Sequence, residues 1–176
     1  MLARWGLLPS WVKDPNDFST LINARAETAA EKPSFRAAMR HRRCLIPADG
    51  FIEWTGKRGS KRPFHLKSPD LGLMAFAGLW EHWQGSDGSE IETAVILTTE
   101  ANGTVAPLHN RMPVIIDPEQ FDAWLDCKRV SPADMAEFLV PADDALLEAV
   151  ELEPKINNPA NDNPEILEPL RGSLLL

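Results

Sequence analysis

The sequence contains only two cysteines, no tyrosine and no long apolar run. The two cysteines, Cys44 and Cys127, are too few for a disulfide scaffold or a four-cysteine zinc site, and they favour a reducing compartment. No segment approaches the ~18 apolar residues of a membrane span, and residues 1–5 carry no apolar signal-peptide core. We therefore expect a cytoplasmic protein that has no membrane partner.

The motifs of several catalytic classes are also absent. None of the four histidines belongs to an HxH or HExxH motif, and the chain has no GxSxG nucleophile elbow. Cys44 stands among apolar residues of a short predicted strand, which is typical of a small buried side chain rather than of a nucleophile. The sequence therefore predicts neither a metal site nor a cofactor.

The remaining composition is that of an ordinary globular protein. The 176 residues are 44% hydrophobic and 25% charged, and the chain shows no internal repeat and no linker. Short predicted strands outnumber short predicted helices around one core. We therefore predict a single domain over residues 1–176 of the α+β class, built on a mostly antiparallel twisted sheet or partly open barrel with a few short helices.

Apolar segments between turn residues predict the strands. The segment WGLLPSW at 5–11 is predicted to be a strand. Residues 51–55 and 63–67 are predicted to form a hairpin around a basic loop that contains glycine. Residues 73–80 and 93–99 are apolar enough to predict two further strands.

Proline and capping residues predict the helices. Residues 33–40 begin with a proline and place apolar side chains on one side. Two further helices are predicted after Asp117 and Ser131, because each of these capping residues precedes a proline in the first turn.

Charge is unevenly distributed along the chain. The net charge is −8, yet residues 25–67 contain eleven basic and four acidic residues, a net +7 that leaves −15 for the remainder. A basic region of this kind can bind the phosphate groups of a nucleic acid. It can equally be the solvated surface of a helix and of hairpin tips, so charge alone leaves both interpretations open.

Three polar residues interrupt apolar or turn segments. Asn23 lies in an apolar stretch, Glu53 lies between Ile52 and Trp54, and His109 stands where a loop meets a strand. Desolvation beside an indole raises the pKa of a carboxyl group, which can then act as a general acid or base. Glu53 and His109 each have an ordinary explanation as well, Glu53 as an edge-strand carboxylate in water and His109 as a loop or core histidine.

Seven segments, taken together and in this order, resemble the SOS response-associated peptidase (SRAP) family. They cover nearly the whole chain: WGLLPSW at 5–11, INARAET at 22–28, RRCLIPADGFIEW at 42–54, FAGLWE at 76–81, ILTTEAN at 96–102, LHNRMPVI at 108–115 and INNPANDNPEILEP at 156–169. The resemblance implies a sensor of abasic sites, and it implies that the partner is single-stranded DNA that contains them.

The resemblance also implies roles for individual residues. Asn23 is similar to the asparagine that positions the reactive cysteine and the sugar. Glu53 resembles the glutamate that moves protons at the sugar and the amine, and His109 resembles the histidine that assists ring opening and Schiff-base chemistry. Arg25 resembles a phosphate-contacting arginine and Trp11 part of a base-separating wedge. The predicted DNA-binding residues are Trp11, Arg25, Lys32, Arg36 and Arg111.

The N-terminus departs from the family pattern. In the family, autoproteolysis exposes a cysteine within a Met-Cys-Gly-Arg start, and its α-amine and thiol then capture the abasic aldehyde as a thiazolidine. This chain begins near the WGLLPSW motif with Leu2 as its second residue, and no cysteine precedes Cys44. A misassigned start, a fragment and a non-catalytic relative would each explain the difference.

Three functions therefore stay open. The first is an SRAP-type abasic-site sensor whose reactive terminus is absent from this sequence. The second is a non-catalytic relative that only binds single-stranded DNA, and the third is a peptidase or hydrolase that uses Glu53 and His109. The basic region favours the first two. We further predict that Asn23, Glu53 and His109 converge on one cleft open to solvent.

Overall fold

The chain folds into short helices and mostly antiparallel sheets, as a computed structural model shows for residues 2–57, 59–70 and 72–172. The strands of the described part are β1 (Arg4–Trp5), β2 (Asn23–Arg25), β3 (Arg43–Ala48), β4 (Gly50–Thr55), β5 (Arg62–Lys67), β6 (Met74–Gln84), β7 (Glu90–Glu100), β8 (Arg111–Pro113) and β9 (Glu148–Glu151). The helices are α1 (Ala26–Ala29), α2 (Arg36–His41) and α3 (Phe121–Leu125). This mixture of sheets and short helices confirms the predicted α+β class.

The contacts divide the chain into two compact units. The first comprises the described residues within 1–46, 75–99 and 113–140, and the second those within 47–74, 100–112 and 141–176. One domain over residues 1–176 stays a prediction. No helix in the described part of the chain is long and apolar enough to cross a membrane.

The first unit is built on the long strands β6 and β7, which pair antiparallel around a turn at 85–89. β1 and β2 both pair with β7 in parallel, β1 at Thr93 and Ala94 and β2 from Ile96 to Thr98. The sheet order is β1-β7-β6-β3, and β2 and β8 also join β7. The apolar run of β7 is therefore buried in the middle of the sheet, where Val95 and Leu97 are fully enclosed.

One buried arginine ties α2 and α3 to β3. Arg43 is only 4% exposed, and its guanidinium donates to the backbone carbonyls of Met39, Trp124, Asp126 and Val130 at 2.6–3.1 Å. Five donors in a planar fork allow one arginine to satisfy several helix-end and loop carbonyls at once. Arg43 therefore belongs to the core of the first unit.

The second unit contains an antiparallel sheet in the order β4-β5-β9. β4 and β5 pair from Gly50–Lys67 to Thr55–Arg62, and β5 continues the pairing with β9. Phe64 and Leu66 of β5 are buried, together with Ala149 and Leu152 near β9. After β9 the chain forms 3₁₀ turns at Pro154–Asn157 and Pro164–Leu167, because each begins with a proline that starts a turn and lacks a donor for a strand.

Most of the element predictions are confirmed, with two exceptions. The hairpin of 51–55 and 63–67 is present as β4 and β5. The strand predicted at 73–80 corresponds to β6, which begins at Met74, and the strand at 93–99 lies within β7. The helix predicted at 33–40 corresponds to α2, which begins at Arg36. The helix after Asp117 forms as a 3₁₀ turn that leads into α3, and the Asp117 side chain accepts from the Glu119 N–H.

The strand predicted at 5–11 is wrong beyond Trp5. Gly6 has a φ of +112°, which breaks the extended chain, and a Cβ atom at this position would lie 2.1 Å from Cγ2 of Thr20. Only Leu7 makes a further bridge, to Leu21. A glycine at this position is therefore a structural requirement that apolar patterning does not reveal.

The full helix predicted after Ser131 is also wrong. The backbone N–H and the hydroxyl of Ser131 both donate to the Asp134 carboxylate, and only a 3₁₀ turn at Ala136–Phe138 follows. The N–H groups of Asp134, Met135 and Ala136 donate to carbonyls three rather than four residues earlier, so the segment follows the 3₁₀ pattern and forms no α-helix.

Candidate functional site

Glu53 occupies the middle of β4, opposite Phe64 of β5. Residues that face each other across antiparallel strands share one side of the sheet, so the carboxyl group lies beside the buried Phe64 ring. The Glu53 side chain is 22% exposed. Partial burial raises its pKa above the usual range, although the His109 ring, the Trp54 backbone N–H and the charge of Lys61 each oppose the rise.

His109 ends a compact turn formed by residues 103–108. Its backbone N–H donates to the carbonyl of Val105 at 3.0 Å. Its ring nitrogen Nδ1 lies 3.2 Å from the backbone nitrogen of Arg111 and 3.1 Å from the Arg111 carbonyl oxygen. The side chain is 46% exposed, so a ligand in solvent can reach the ring.

The structure brings Glu53 and His109 together. Oε1 of Glu53 lies 3.6 Å from Nδ1 of His109, which is an electrostatic contact slightly longer than a hydrogen bond. Such contacts in a ligand-free site commonly tighten when a substrate binds. A carboxyl with a raised pKa beside an accessible imidazole provides two groups that can exchange protons with a bound molecule.

A cavity of about 740 Å³ lies in the second unit and is lined by Trp54, the residue after Glu53. Trp54 and Asn157 join across it, because the indole Nε1–H donates to Oδ1 of Asn157 at 2.8 Å. The amide of Asn157 donates in turn to the carbonyl of Lys61 at 3.2 Å. The other lining residues are Gly59, Ser60, Arg62, Pro154, Ile156 and Pro159.

Sequence reasoning did not select Trp54, Lys61 or Asn157 as site residues. Lys61 was counted only as one charge of the basic region, yet it is close enough to Glu53 to lower the pKa of that carboxyl. Asn157 belongs to the family-like segment at 156–169, whose position in space no local pattern predicts. The signal that was available for Asn157 is its place inside that segment.

Asn23 and Arg25 lie together in the first unit. They are the first and last residues of β2, and both are exposed while Ala24 between them is buried. Alternate residues of a strand point to the same side of a sheet, so the amide and the guanidinium share one solvent-facing surface. Convergence of Asn23 with Glu53 and His109 stays a prediction.

The other predicted DNA-binding residues occupy different elements. Trp11 is 58% exposed and packs edge-on against Phe18, with ring centroids 5.6 Å apart. Lys32 precedes α2 and Arg36 is its first residue, and both are exposed. Arg111, the first residue of β8, is half-buried.

Several cations of the basic region already have partners in the protein. Arg42 pairs with Glu81 at 2.6 Å, Arg62 with Glu151 at 2.5 Å and Lys67 with Glu148 at 3.1 Å. The charge of +7 between residues 25 and 67 therefore overstates the positive surface that is open to a ligand. Arg58, another cation of that region, lies outside the described residues.

The thiol of Cys44 does not have the properties of a nucleophile. Burial, aided by the nearby Cys127, raises the pKa of the Cys44 thiol to about 11, so the thiol is protonated near neutral pH. Both cysteines are free. Among residues 2–57, 59–70 and 72–172, no group of three His, Cys, Asp or Glu side chains could hold a metal ion.

Known proteins resemble this chain over most of its length. A family model described as SOS response associated peptidase (SRAP) matches residues 1–159. The abasic site processing protein YoqW of Bacillus subtilis is 42% identical over 168 residues, which represent 94% of this chain and 74% of that protein. The abasic site processing protein HMCES of Gallus gallus is 32% identical over 195 aligned residues, covering 97% of this chain and 57% of that protein.

A solved structure extends this similarity to three dimensions. The crystal structure of a protein from Bacteroides thetaiotaomicron superimposes with a TM-score of 0.86 at 32% sequence identity. The match covers 94% of this chain and 75% of that chain.

Proposed function

This chain belongs to the SOS response associated peptidase (SRAP) family, and from that premise we propose that it processes abasic sites in single-stranded DNA. The observation that carries the proposal is the pair of Glu53 and His109, 3.6 Å apart on a surface that solvent reaches. Relatives at 42% and 32% identity bear the name abasic site processing protein. The two free thiols suit the cytoplasmic location that we also propose.

The pair suits the chemistry of an abasic sugar. The sugar exists as a closed ring and an open-chain aldehyde, and opening the ring requires a proton to be removed from one oxygen and given to another. His109 can accept the first proton at its ring nitrogen Nε2, and Glu53 can donate the second, because burial raises the pKa of its carboxyl and so favours the protonated form.

Cations and exposed aromatic groups would hold the DNA. Arg25 and Asn23 share one face of β2, where the guanidinium can bind a phosphate while the amide reaches the sugar. Lys32 and Arg36 add positive charge around the start of α2, and Arg111 adds charge next to His109. The exposed Trp11 offers a ring on which a base can stack.

The covalent step of the family needs an α-amine and a thiol on one residue. The amine adds to the aldehyde carbon and water leaves, which gives an imine. The thiol then adds across the C=N bond and its proton passes to nitrogen, which closes a thiazolidine. Both cysteines of this sequence lie inside the chain and have no free α-amine. We therefore assign the step to a form of the protein in which loss of the methionine from a Met-Cys-Gly-Arg start leaves cysteine as the first residue, hereafter the Cys-starting form.

Electrophoresis on a denaturing gel tests the proposal. The 176-residue chain and the Cys-starting form are each incubated with a single-stranded oligonucleotide that carries one abasic site, and with the same oligonucleotide after its aldehyde has been reduced. We expect a stable adduct only for the Cys-starting form with the unreduced site. Binding by either form without any adduct would favour the non-catalytic relative, and adducts with reduced DNA would refute the aldehyde mechanism.

A further inference from the structure

The turn that presents His109 is held by one buried side chain, Asn102. This residue is 8% exposed. Its Oδ1 accepts from the backbone N–H of Val105 at 3.0 Å, in the manner of a residue that caps a helical turn. The carbonyl of Val105 accepts in turn from the N–H of His109 at 3.0 Å. Two consecutive hydrogen bonds therefore connect the Asn102 amide to the His109 backbone.

The same side chain ties the turn to the segment before β9. The Asn102 amide nitrogen donates to the carbonyl of Ala142 at 3.1 Å and lies 3.5 Å from that of Asp143. Asp144 accepts from the N–H of Gly103 at 2.6 Å. A Cβ atom at Gly103 would lie 2.4 Å from the Asp144 carboxylate, so the Asp144 side chain packs directly against the Gly103 backbone. Asn102 and Gly103, at the start of the turn, are thus hydrogen-bonded to residues 142–144.

No other side chain of the described turn bonds both to the backbone that leads to His109 and to residues 142–144. Thr104 also contacts the segment, since its hydroxyl donates to the carbonyl of Asp144 at 3.1 Å, but it makes no described bond toward Val105 or His109. A backbone hydrogen bond joins the two ends of the loop, because the N–H of Ala101 donates to the carbonyl of Asn110 at 3.2 Å. Asn102 is therefore the side chain that connects residues 142–144 to the hydrogen bonds that hold His109.

We propose that Asn102 is a positioning residue that sets the His109 imidazole against Glu53. It acts by accepting from the Val105 N–H and so holding the turn that leads to His109, while its bond to Ala142 orients the Asn102 amide itself; it does not touch the DNA. Its consequence for catalysis rests on the proposed processing of abasic sites, whereas its effect on the ring of His109 does not. Displacing a reacting group by about 1 Å can lower a rate by about 10²-fold, so a loosened turn should be visible in kinetics.

Three variants of the 176-residue chain separate this role from general loss of structure. Asn102→Ala removes both bonds of the side chain. Asn102→Ser keeps a short acceptor for the Val105 N–H, because serine and asparagine cap turns equally well, and loses only the tie to Ala142. Thr104→Val is the matched control, since it removes one bond between the same turn and the same segment without touching the path to His109.

The first readout is the imidazole ¹⁵N spectrum of His109, assigned by its loss in His109→Gln and recorded without DNA. We expect displaced His109 resonances in Asn102→Ala, and near-native resonances in Asn102→Ser and Thr104→Val. Native resonances in Asn102→Ala, or equal displacement in Thr104→Val, would overturn the proposal. If Asn102→Ala does not fold, Asn102→Gln replaces it, because the longer amide misplaces the acceptor but retains polarity.

The second readout is the rate of adduct formation in the Cys-starting form with a single-stranded abasic oligonucleotide. We expect Asn102→Ala to lower the rate by about 10- to 10²-fold with little change in DNA affinity, and Asn102→Ser to restore it. An unchanged rate in Asn102→Ala would contradict the proposal. If the unmodified Cys-starting form gives no adduct, the proposed function fails, and the imidazole spectrum alone still decides the role of Asn102.

Discussion

Glu53 combines partial burial with an accessible proton, and this combination has an effect on stability that can be measured. Its pKa is raised in the folded protein, chiefly by desolvation, so between the ordinary and the raised value the native state binds a proton that the unfolded chain has lost. Stability from this group is therefore fully present below the ordinary pKa and decreases as the pH rises through the raised pKa.

We expect Glu53→Gln to remove this dependence. The variant should gain stability relative to the unmodified chain as the pH increases from about 4 to 8, because glutamine cannot ionise. Urea unfolding of both proteins at several pH values measures the difference, and Asp70→Asn at an exposed position serves as the control. A growing loss of stability in Glu53→Gln toward high pH would show that the charged carboxylate stabilises the fold.

At the residue scale, sequence alone predicted only part of the site. Glu53 and His109 were selected as isolated polar residues in family-like motifs, and they lie close together. Lys61 and Asn157 were missed because their contacts depend on the closure of the β4–β5 hairpin and on the path of the tail. The role of Asn102 was missed because a buried amide in a turn looks, in sequence, like any other turn residue.

At the scale of the elements, Arg43 should be essential for the packing of α2 and α3 against β3. Removing its guanidinium leaves the carbonyls of Met39, Trp124 and Val130 without this donor, whereas the carbonyl of Asp126 keeps the N–H of Val130. We expect Arg43→Met to cost about 3–5 kcal/mol of unfolding free energy, since each buried group left unpaired costs about 1–3 kcal/mol and the carbonyls regain some water. Chemical denaturation measures the loss.

The neighbouring Arg40→Met provides the control for Arg43. Arg40 lies on the exposed side of α2, and a surface substitution of this kind changes stability by about 0.5 kcal/mol or less. Equal effects of the two substitutions would show that the buried hydrogen bonds of Arg43 contribute little.

Periodicity and turn chemistry predicted those elements whose causes are local. The β4–β5 hairpin and the start of α3 follow from alternation and from the capping Asp117. The strand at 5–11 failed because Gly6 adopts a positive φ against Thr20, a contact between residues far apart in sequence. The helix after Ser131 failed because its N–H groups bond three rather than four residues back, which its capping residues do not reveal.

At the scale of the whole molecule, a protein of net charge −8 is proposed to bind a polyanion. Local cations must then outweigh the overall repulsion, so affinity for single-stranded DNA should fall steeply with salt. We expect Arg25→Ala to weaken binding to all sequences alike and to reduce the slope of log affinity against log salt by about 1 or less, because a phosphate contact reads no base.

Arg129→Ala is the control for Arg25→Ala. The Arg129 side chain is 88% exposed and lies outside the basic region, so its removal should leave the slope unchanged. Fluorescence anisotropy with labelled single strands over a salt series measures both variants. Equal slopes for Arg25→Ala and the unmodified protein would remove Arg25 from the DNA-binding surface.

The most direct test of the central claim is the initial rate at which the Cys-starting form captures a single-stranded abasic oligonucleotide, with and without Glu53→Gln. If Glu53 and His109 transfer the protons of the reaction, Glu53→Gln should lower the rate by about 10²-fold, while affinity for the same strand stays within about twofold. An equal rate in both proteins, at equal affinity, would contradict the assignment of this pair as the proton-transferring groups of the site.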